Sequence, residues 1–445
     1  MLPVKAYMRR QIFRLAWPVI LEMSAVMLVS IVVTAMVGRF GAVSLASVGL
    51  ATMVQFSSAM VFAAAGTGSA AIVSREVGAG NWAAVRAVTG QAVLLAALFG
   101  AVLALAGFAA AGPVFAVIGA DPAVAALSAD LLRIMFLFTP LYLVMAVGNA
   151  ILRGMGDTRR AFVITTATNL IGLAVSAALA FGWVGPVLGA RGVAWGNTFY
   201  QLLGGVTVLA ALAADPRIRL TPGMVLRYDR AVVARILAIS LPAAGEQLAM
   251  QGGRIVFTFM LAGVGTVQFA AHQIAVQAES LSFMPGFGLS VAVMTLTGIN
   301  LGRGLPHRAR QYVWQTGKIA LIGMGAMGII FLVFARPLTA LFIDDPAVLY
   351  WSTLCVMIAA LEQPTIAITY VLAGALRGAG DTKWPMYVTT LGVWVARMPL
   401  IYLLIVVLRL DITIAWLVTA ADFLLRSLVL WRRFASGSWE KAKNI

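Results

Sequence analysis

The sequence predicts an all-α integral membrane protein with twelve transmembrane helices, arranged as two homologous six-helix lobes. Three observations carry this prediction. Only 11% of the 445 residues are charged and 62% are hydrophobic, whereas soluble globular proteins have about 25% charged residues. Apolar runs of roughly 20 residues, enough to cross the hydrocarbon core as a helix, recur along the chain. The two halves of the sequence also repeat each other at a fixed distance.

The duplication is clearest in a motif that occurs twice. Residues 153–158 read Arg-Gly-Met-Gly-Asp-Thr, and residues 377–382, 224 positions later, read Arg-Gly-Ala-Gly-Asp-Thr. The same offset connects other residues: Pro18 with Pro242, Glu22 with Glu246, Gly78 with Gly302, and Pro140 with Pro364. Six spans in each half give both lobes the same orientation, which predicts a pseudo-twofold axis along the membrane normal.

The predicted spans set the domain boundaries. Runs of this length favour helices over a β-barrel, whose strands would have about 10 residues. The polar stretch 215–232 is the predicted cytoplasmic linker between an N-terminal lobe, residues 1–214, and a C-terminal lobe, residues 233–445. The twelve spans cover roughly 12–37, 45–72, 88–112, 128–151, 161–183, 192–214, 236–262, 267–299, 317–340, 348–375, 385–408 and 411–431.

The formal net charge of +16 is explained by topology. With the N-terminus inside, 25 of the 32 Lys and Arg residues fall in inside segments and four in outside segments. This is the asymmetry of the positive-inside rule, so the charge does not indicate nucleic-acid binding. We therefore expect a multi-pass protein of the bacterial inner membrane with both termini cytoplasmic. We expect the protein to contact the lipid bilayer on all sides. We also expect it to be a monomer.

The repeated motif itself predicts a turn. Arg153 stands at a helix C-terminus, where a cation suits the helix dipole. Gly154 and Gly156 permit positive φ, and Asp157 or Thr158 can cap the next helix. We interpret the motif as a short inside hinge rather than a binding site.

Ionisable residues inside membrane spans are rare and default to functional candidates. Five of the six that stand out lie in the second half, which favours the C-terminal lobe for any localised chemistry. Similar depths predict the pairs Arg254–Glu279 and Glu362–Arg397, because pairing relieves much of the cost of burying a charge. The six are Glu22, Glu246, Arg254, Glu279, Glu362 and Arg397.

This pairing leaves Glu246 as an acid without an obvious base. A buried, unpaired carboxyl is the group on which a coupling cation would act, so Glu246 and its repeat mate Glu22 are the predicted ion-coupling residues. The alternative is a structural carboxyl bonded to carbonyls that Pro242 leaves free.

The remaining polar residues are weaker candidates. The predicted substrate-binding or gating set comprises the two Arg–Glu pairs with Gln247, Gln273 and Gln277. His272 is a proton carrier or a structural residue, and Asp422 with Arg426 fits a structural i,i+4 pair. Two histidines and one cysteine provide no catalytic set and no metal cluster. We therefore expect neither an enzyme nor a cofactor beyond the coupling ion, H⁺ or Na⁺.

The combined motifs resemble the multidrug and toxic compound extrusion (MATE) transporters over essentially the whole chain. The resemblance is to the DNA-damage-inducible branch of that family. Besides the duplicated motif, it rests on Ala270-Ala271-His272-Gln273-Ile274, Gly302-x-Gly304, Leu241-Pro-Ala-Ala-Gly-Glu246-Gln247, Glu279-Ser-Leu-Ser-Phe-Met-Pro285-Gly-Phe-Gly, Glu362-Gln363-Pro364 and Trp394-Val-Ala-Arg397-Met-Pro399-Leu.

The resemblance implies an antiporter that exports small organic, often cationic, compounds by alternating access between two lobes. The resemblance implies coupling to inward H⁺ or Na⁺ flow, and of the two we expect H⁺. The alternative is a flippase for lipids or lipid-linked precursors, which unpaired Arg254 and Arg397 would favour. The sequence departs from the family at Val33, where many relatives carry an Asp, and at Ser176, near which an acid is often found.

Overall fold

The computed structural model describes residues 4–117, 119 and 121–441. Over these residues the chain is helical and contains no β-strand. The predicted cytoplasmic ends include residues 1–3 and 442–445, which lie outside the described residues. The helices of the first half are α1 (Val4–Gly38), α2 (Ala42–Ala79), α3 (Trp82–Val117), α4 (Pro122–Phe136), α5 (Thr139–Gly154), α6 (Thr158–Ala180) and α7 (Ala190–Ala214).

The second half continues with eight more α-helices among the described residues. They are α8 (Pro222–Leu226), α9 (Arg230–Ala262), α10 (Thr266–Gly302), α11 (Pro306–Ala340), α12 (Pro346–Gly378), α13 (Lys383–Leu391), α14 (Met398–Ile401) and α15 (Ile412–Ala435). Two π-helical turns, Gly392–Arg397 and Tyr402–Val407, flank α14 and join it to α13 as one span. A 3₁₀ turn, Ser438–Lys441, follows α15.

These helices confirm the predicted all-α membrane fold with twelve spans. Within the described ranges, eleven helical segments are long and apolar enough to cross a membrane, and α4 with α5 forms a twelfth span bent by 56°. The longest helices, α2 and α10, have 38 and 37 residues. At a rise of about 1.5 Å per residue they exceed the thickness of the hydrocarbon core, so their ends extend beyond it.

The fourth predicted span, 128–151, is broken in the middle. Helix α4 ends at Phe136 and α5 begins at Thr139, with Pro140 in its first turn. Proline has no amide hydrogen and its ring clashes with the carbonyl four residues earlier, here that of Phe136. The repeat mate Pro364 lies inside the continuous helix α12, so proline alone does not determine the break.

The chain divides into two compact units. The first unit comprises Leu21–Ala244, and the second comprises Met1–Ile20 with Gly245–Ile445. Compared with the predicted lobes, residues 1–20 belong to the second unit and residues 215–244 to the first. Buried side chains such as Ile72 and Leu143 form the core of the first unit. The second unit has two apolar clusters, one containing Val293 and Leu376 and one containing Phe331 and Ile401.

The predicted linker is docked on the first unit rather than extended. The Gln91 side chain donates hydrogen bonds to the carbonyls of Met224 and Arg227, at 3.3 and 2.8 Å. Buried Asp215 accepts from Arg217 and Arg160 at 2.8 and 2.9 Å. The hydrogen bonds from Arg217 lower the pKa of Asp215 to about 2, which keeps this carboxylate charged at any physiological pH.

Helices α6 and α7 pack through small residues. A Cβ atom added at Gly196 would overlap Ser176 Oγ and would lie 2.5 Å from the Ser176 backbone nitrogen. Close helix contacts of this kind are common in membranes, where small residues let backbones approach. Ser176 is therefore buried in a contact that has no room for the acid often found near this position in MATE relatives.

Substituting Gly196 tests this contact. We expect Gly196→Ala to lower the free energy of unfolding by about 1–3 kcal/mol, the usual cost of forcing extra atoms into a packed core. Thermal unfolding of the purified protein in a single detergent measures the effect. Gly49→Ala in α2 is the control, because a Cβ there meets nothing within 4 Å and alanine favours the helix. Equal unfolding temperatures for the two variants would contradict the packing described above.

Candidate functional site

Glu22 forms a buried salt bridge within the first unit. Its carboxylate accepts hydrogen bonds from Arg153 Nη1 at 3.0 and 3.2 Å and from the Thr165 hydroxyl at 2.9 Å. The Asn149 amide donates in turn to the Thr165 oxygen at 2.9 Å. Because only 2% of Glu22 is exposed, these donors replace the water that the carboxylate loses on burial. We call Glu22, Arg153 and Thr165 the first clamp.

The second unit repeats this arrangement at the offset of the sequence duplication. Glu246 accepts from Arg377 Nη2 at 2.7 Å, from Arg377 Nε at 3.3 Å, and from the Thr389 hydroxyl at 3.2 Å. Ala373 stands where the first unit has Asn149, so Thr389 lacks the corresponding amide donor. We call Glu246, Arg377 and Thr389 the second clamp.

The clamps correct the prediction that Glu246 has no base. Its partner Arg377 opens the second copy of the repeated motif, just as Arg153 opens the first. The interpretation of the motif as a turn places both arginines at helix ends and does not pair them with acids on distant helices. The sequence contains a pattern that indicates these pairs, since the acid and the arginine are separated by 131 residues in both halves.

The rest of the motif forms the predicted turns. Gly156 and Gly380 have φ values of +84° and +82°, in the left-handed region that favours glycine. Asp157 caps α6 by accepting from the Arg160 amide at 3.2 Å. Asp381 differs, because its buried carboxylate pairs with Arg433 at 2.7 Å.

A second group of buried charges lies in the second unit alone. Glu279, Glu362, Arg397, Asp422 and Arg426 are here called the charged cluster. Glu362 interacts electrostatically with Glu279, Arg397 and Asp422. Among the described residues, neither carboxylate oxygen of Glu362 has a hydrogen-bond partner, and the same holds for Glu279 Oε1 and Arg397 Nε. Only 1% of Glu362 and 7% of Glu279 are exposed.

One ion pair within the cluster is fully formed. Arg426 donates from Nε to Asp422 Oδ1 at 2.8 Å and from Nη2 to Oδ2. This is the predicted i,i+4 pair on α15. A Cβ at Gly392 would lie 2.6 Å from Asp422 Oδ1, so glycine at the start of the first π-helical turn leaves room for the pair. Arg397, at the end of the same turn, stacks over the Phe257 ring at 4.7 Å.

The two predicted Arg–Glu pairs are not formed as expected. Arg254 is exposed and has no ion pair within the described part of the chain, so it does not neutralise Glu279. Glu279 interacts with Arg397 instead. Arg397 also interacts with Glu362, but without a salt bridge. The position of each residue along its span correctly predicted that Arg397 interacts with Glu362. The rotation of each helix could not be inferred from the sequence.

The other candidates differ in how deeply they are buried. His272 is buried, with its ring edge-on to Phe257 at 5.3 Å and to Trp416 at 5.7 Å. Its Nδ1 atom has no hydrogen-bond partner among the described residues. Gln273 and Gln277 are exposed on one face of α10, and Gln247 on α9 is partly buried. None of these glutamines contacts the charged cluster through a hydrogen bond in the part of the chain described.

The charged cluster has a neutral counterpart in the first unit. At the offset of the duplication, Gln55 corresponds to Glu279 and Phe138 to Glu362. The last spans of the two halves can be aligned by their Ala-Trp pairs, 194–195 and 415–416. In this alignment Gln201 corresponds to Asp422. The amides of Gln55 and Gln201 both donate to the Met135 carbonyl, at 2.9 and 3.2 Å. The same positions therefore form a neutral hydrogen-bond network in one half and carry carboxylates in the other.

Comparison with known proteins assigns the family. The MatE family model matches the chain twice, over residues 18–178 and 242–403. The chain belongs to the MatE family. The two matches begin at Pro18 and at its repeat mate Pro242, as the duplication predicts. The protein is thus a multi-pass membrane transporter and not an enzyme.

Similarity to individual proteins is consistent with membership of this family. The chain is 31% identical to "Probable multidrug resistance protein NorM" of Thermotoga maritima, covering 97% of this chain and 93% of that protein. It is 26% identical to the "FAD transporter" of Shewanella oneidensis, covering 82% and 81%. A solved "Outward-facing conformation of a multidrug resistance MATE family transporter of the MOP superfamily" shares the fold, with a TM-score of 0.90, 20% identity and coverage of 97% and 96%. These relatives do not favour the flippase alternative.

Removing the arginine of the second clamp tests its role. Arg377→Gln leaves the buried Glu246 carboxylate without its cation, and losing one partner of a buried pair costs about 3–5 kcal/mol. We expect a large drop in unfolding temperature. We expect the double variant Arg377→Gln/Glu246→Gln to recover most of it. Cys355 is fully buried and is the only cysteine, so a thiol-reactive dye measures unfolding directly.

The control is Arg254→Gln, which removes an exposed cation of the same unit and should leave the unfolding temperature unchanged. A single variant as stable as the wild type would show that Arg377 does not stabilise the buried acid. A double variant as unstable as the single one would show that the guanidinium acts through other contacts.

Proposed function

We propose that this protein is a cation-coupled antiporter that exports small organic, often cationic, compounds by alternating access, with H⁺ favoured over Na⁺. Family membership and the name of the Thermotoga maritima relative support the export of drug-like compounds. A bacterial inner membrane, cytoplasmic termini and a monomeric state belong to the same proposal. The FAD transporter among the relatives makes an anionic cargo the second candidate.

The observation that carries the coupling proposal is the burial of Glu362 and Glu279 without sufficient donors. An ionised carboxylate that has neither water nor hydrogen-bond donors is costly in a low-dielectric interior. Binding a proton removes that charge. Protonation and deprotonation of Glu362, with Glu279 beside it, would therefore change the electrostatics of the second unit substantially.

The clamps change the roles first predicted for Glu246 and Glu22. A proton can neutralise either acid only at the expense of its ion pair with a partly buried arginine. We therefore propose Glu362 and Glu279 as the principal coupling residues and both clamps as positioning elements. Val33 supports this choice, because the first helix offers no acid at the place where many relatives carry one.

Coupling requires that the two states of the transporter hold the proton differently. With Glu362 ionised, the cluster would attract an organic cation, and the aromatic rings of Phe257 and Trp416 nearby suit such a ligand. With Glu362 protonated, that attraction would fall and the compound would be released. Arg397 would affect both steps, because its positive charge stabilises the ionised carboxylate of Glu362 and repels a second cation.

Efflux from proteoliposomes tests this proposal. A fluorescent organic cation is loaded, and a pH gradient or a Na⁺ gradient is applied separately. We expect wild-type efflux to follow the pH gradient. We expect Glu362→Gln, which mimics the protonated acid, to reduce efflux to the rate seen without a gradient. Asp344→Asn, which removes an exposed carboxylate of the same unit, should transport like the wild type.

The other outcomes separate the alternatives. Efflux driven by Na⁺ alone would show that Na⁺ rather than H⁺ is the coupling ion, and the export function would stand. An active Glu362→Gln variant together with an inactive Glu246→Gln variant would return the coupling role to the second clamp. Absence of efflux under both gradients, in protein that is folded but does not bind the cation, would favour an anionic cargo or a flippase.

A further inference from the structure

A cleft of about 790 Å³ lies in the second unit, between the end of α9 and the second π-helical turn. Phe259 and Met260 line one side, and Tyr402 and Val406 line the other. Several of these side chains are more exposed than is usual for apolar residues, with 72% for Phe259 and 53% for Tyr402. An open apolar cleft on a transmembrane segment is a suitable place for an acyl chain.

Arg409 is the only charged residue among the described residues that line the cleft. It has no ion pair within the described residues, and the neighbouring Asp411 instead caps α15 by accepting from the Thr413 amide at 2.9 Å. Its φ of +52° lies in the left-handed region that residues other than glycine rarely adopt. A free guanidinium is thus held at the end of the span, where phosphate groups of the bilayer surface lie.

In the first unit, aromatic side chains pack together at the turn that corresponds to Val264. Phe40, which is the repeat mate of Val264, packs on Phe181 at 5.3 Å, and Phe181 stacks on Trp183 at 6.2 Å. In the second unit the smaller Val264 lines the cleft instead. The cleft therefore has at this turn a smaller side chain than the one at the corresponding position of the first unit.

We propose that this cleft binds an anionic phospholipid of the phosphatidylglycerol type, with its phosphate on Arg409 and an acyl chain along Phe259 and Val406. Guanidinium binds phosphate strongly because its fork of donors matches the phosphate oxygens. The single positive charge disfavours the organic cations of the proposed transport cycle. The inference is independent of ion coupling and places the lipid in the leaflet predicted to face outward.

Lipid retention by the purified full-length protein tests the inference. Native mass spectrometry compares phosphatidylglycerol with phosphatidylcholine of identical acyl chains. We expect the wild type to retain phosphatidylglycerol about fivefold better, the effect of one basic residue near the membrane surface. Arg409→Gln should abolish this preference. Val264→Phe, which reproduces Phe40 of the first unit, should reduce the retention of both lipids.

Arg336→Gln is the matched control, because Arg336 is another exposed arginine predicted to lie outside and does not line the cleft. It should retain the wild-type preference. The inference is overturned if Arg409→Gln keeps the preference for phosphatidylglycerol. It is also overturned if a transported organic cation displaces the lipid, since the cleft would then belong to the transport path. The Arg409 result stands even if Val264→Phe fails to fold.

Discussion

The structure depends on one constraint, which is the cost of an ionised side chain inside a helix bundle with little polar surface. Such a charge needs a partner, hydrogen-bond donors or a proton. Glu22 and Glu246 meet this need with an arginine and a threonine each. Neither carboxylate oxygen of Glu362 accepts a hydrogen bond in the described structure, and neither does Glu279 Oε1. The buried acids therefore fall into two classes, and only one class is permanently compensated.

The break between α4 and α5 explains why the neutral hydrogen-bond network of Gln55 and Gln201 exists in one half. Where the helix stops at Phe136, the Met135 carbonyl is available, and the amides of Gln55 and Gln201 donate to it. In the second half, α12 runs on without a break, and the corresponding Ala359 carbonyl accepts from Gln363 of the same helix. An amide at position 279 would have no such carbonyl, whereas a carboxylate there can interact with Arg397.

The sequence was sufficient to predict the twelve spans, the duplication and the concentration of intramembrane acids in the second half. These features depend on composition, periodicity and offset, which are local or linear properties. The partners of the acids could not be predicted in the same way, because they depend on helix rotation and on which helices are neighbours. Arg254 and Glu279 have matching depths but do not meet, whereas Glu246 and Arg377 meet across 131 residues. The helix break at residue 137 and the π-helical turns around Pro399 also depend on tertiary packing.

The division of the acids bears on where coupling can take place. Protonating a clamp acid disturbs two charges, a buried carboxylate and a partly buried guanidinium, because their ion pair is lost at the same step. Protonating Glu362 changes a group that has no hydrogen bond to lose. The first unit offers no equivalent group at these positions, since Gln55 and Gln201 do not titrate and Phe138 has no polar atom. At these positions a pH gradient would therefore act on one half of the duplicated chain, because the Gln55 and Gln201 amides of the other half do not titrate.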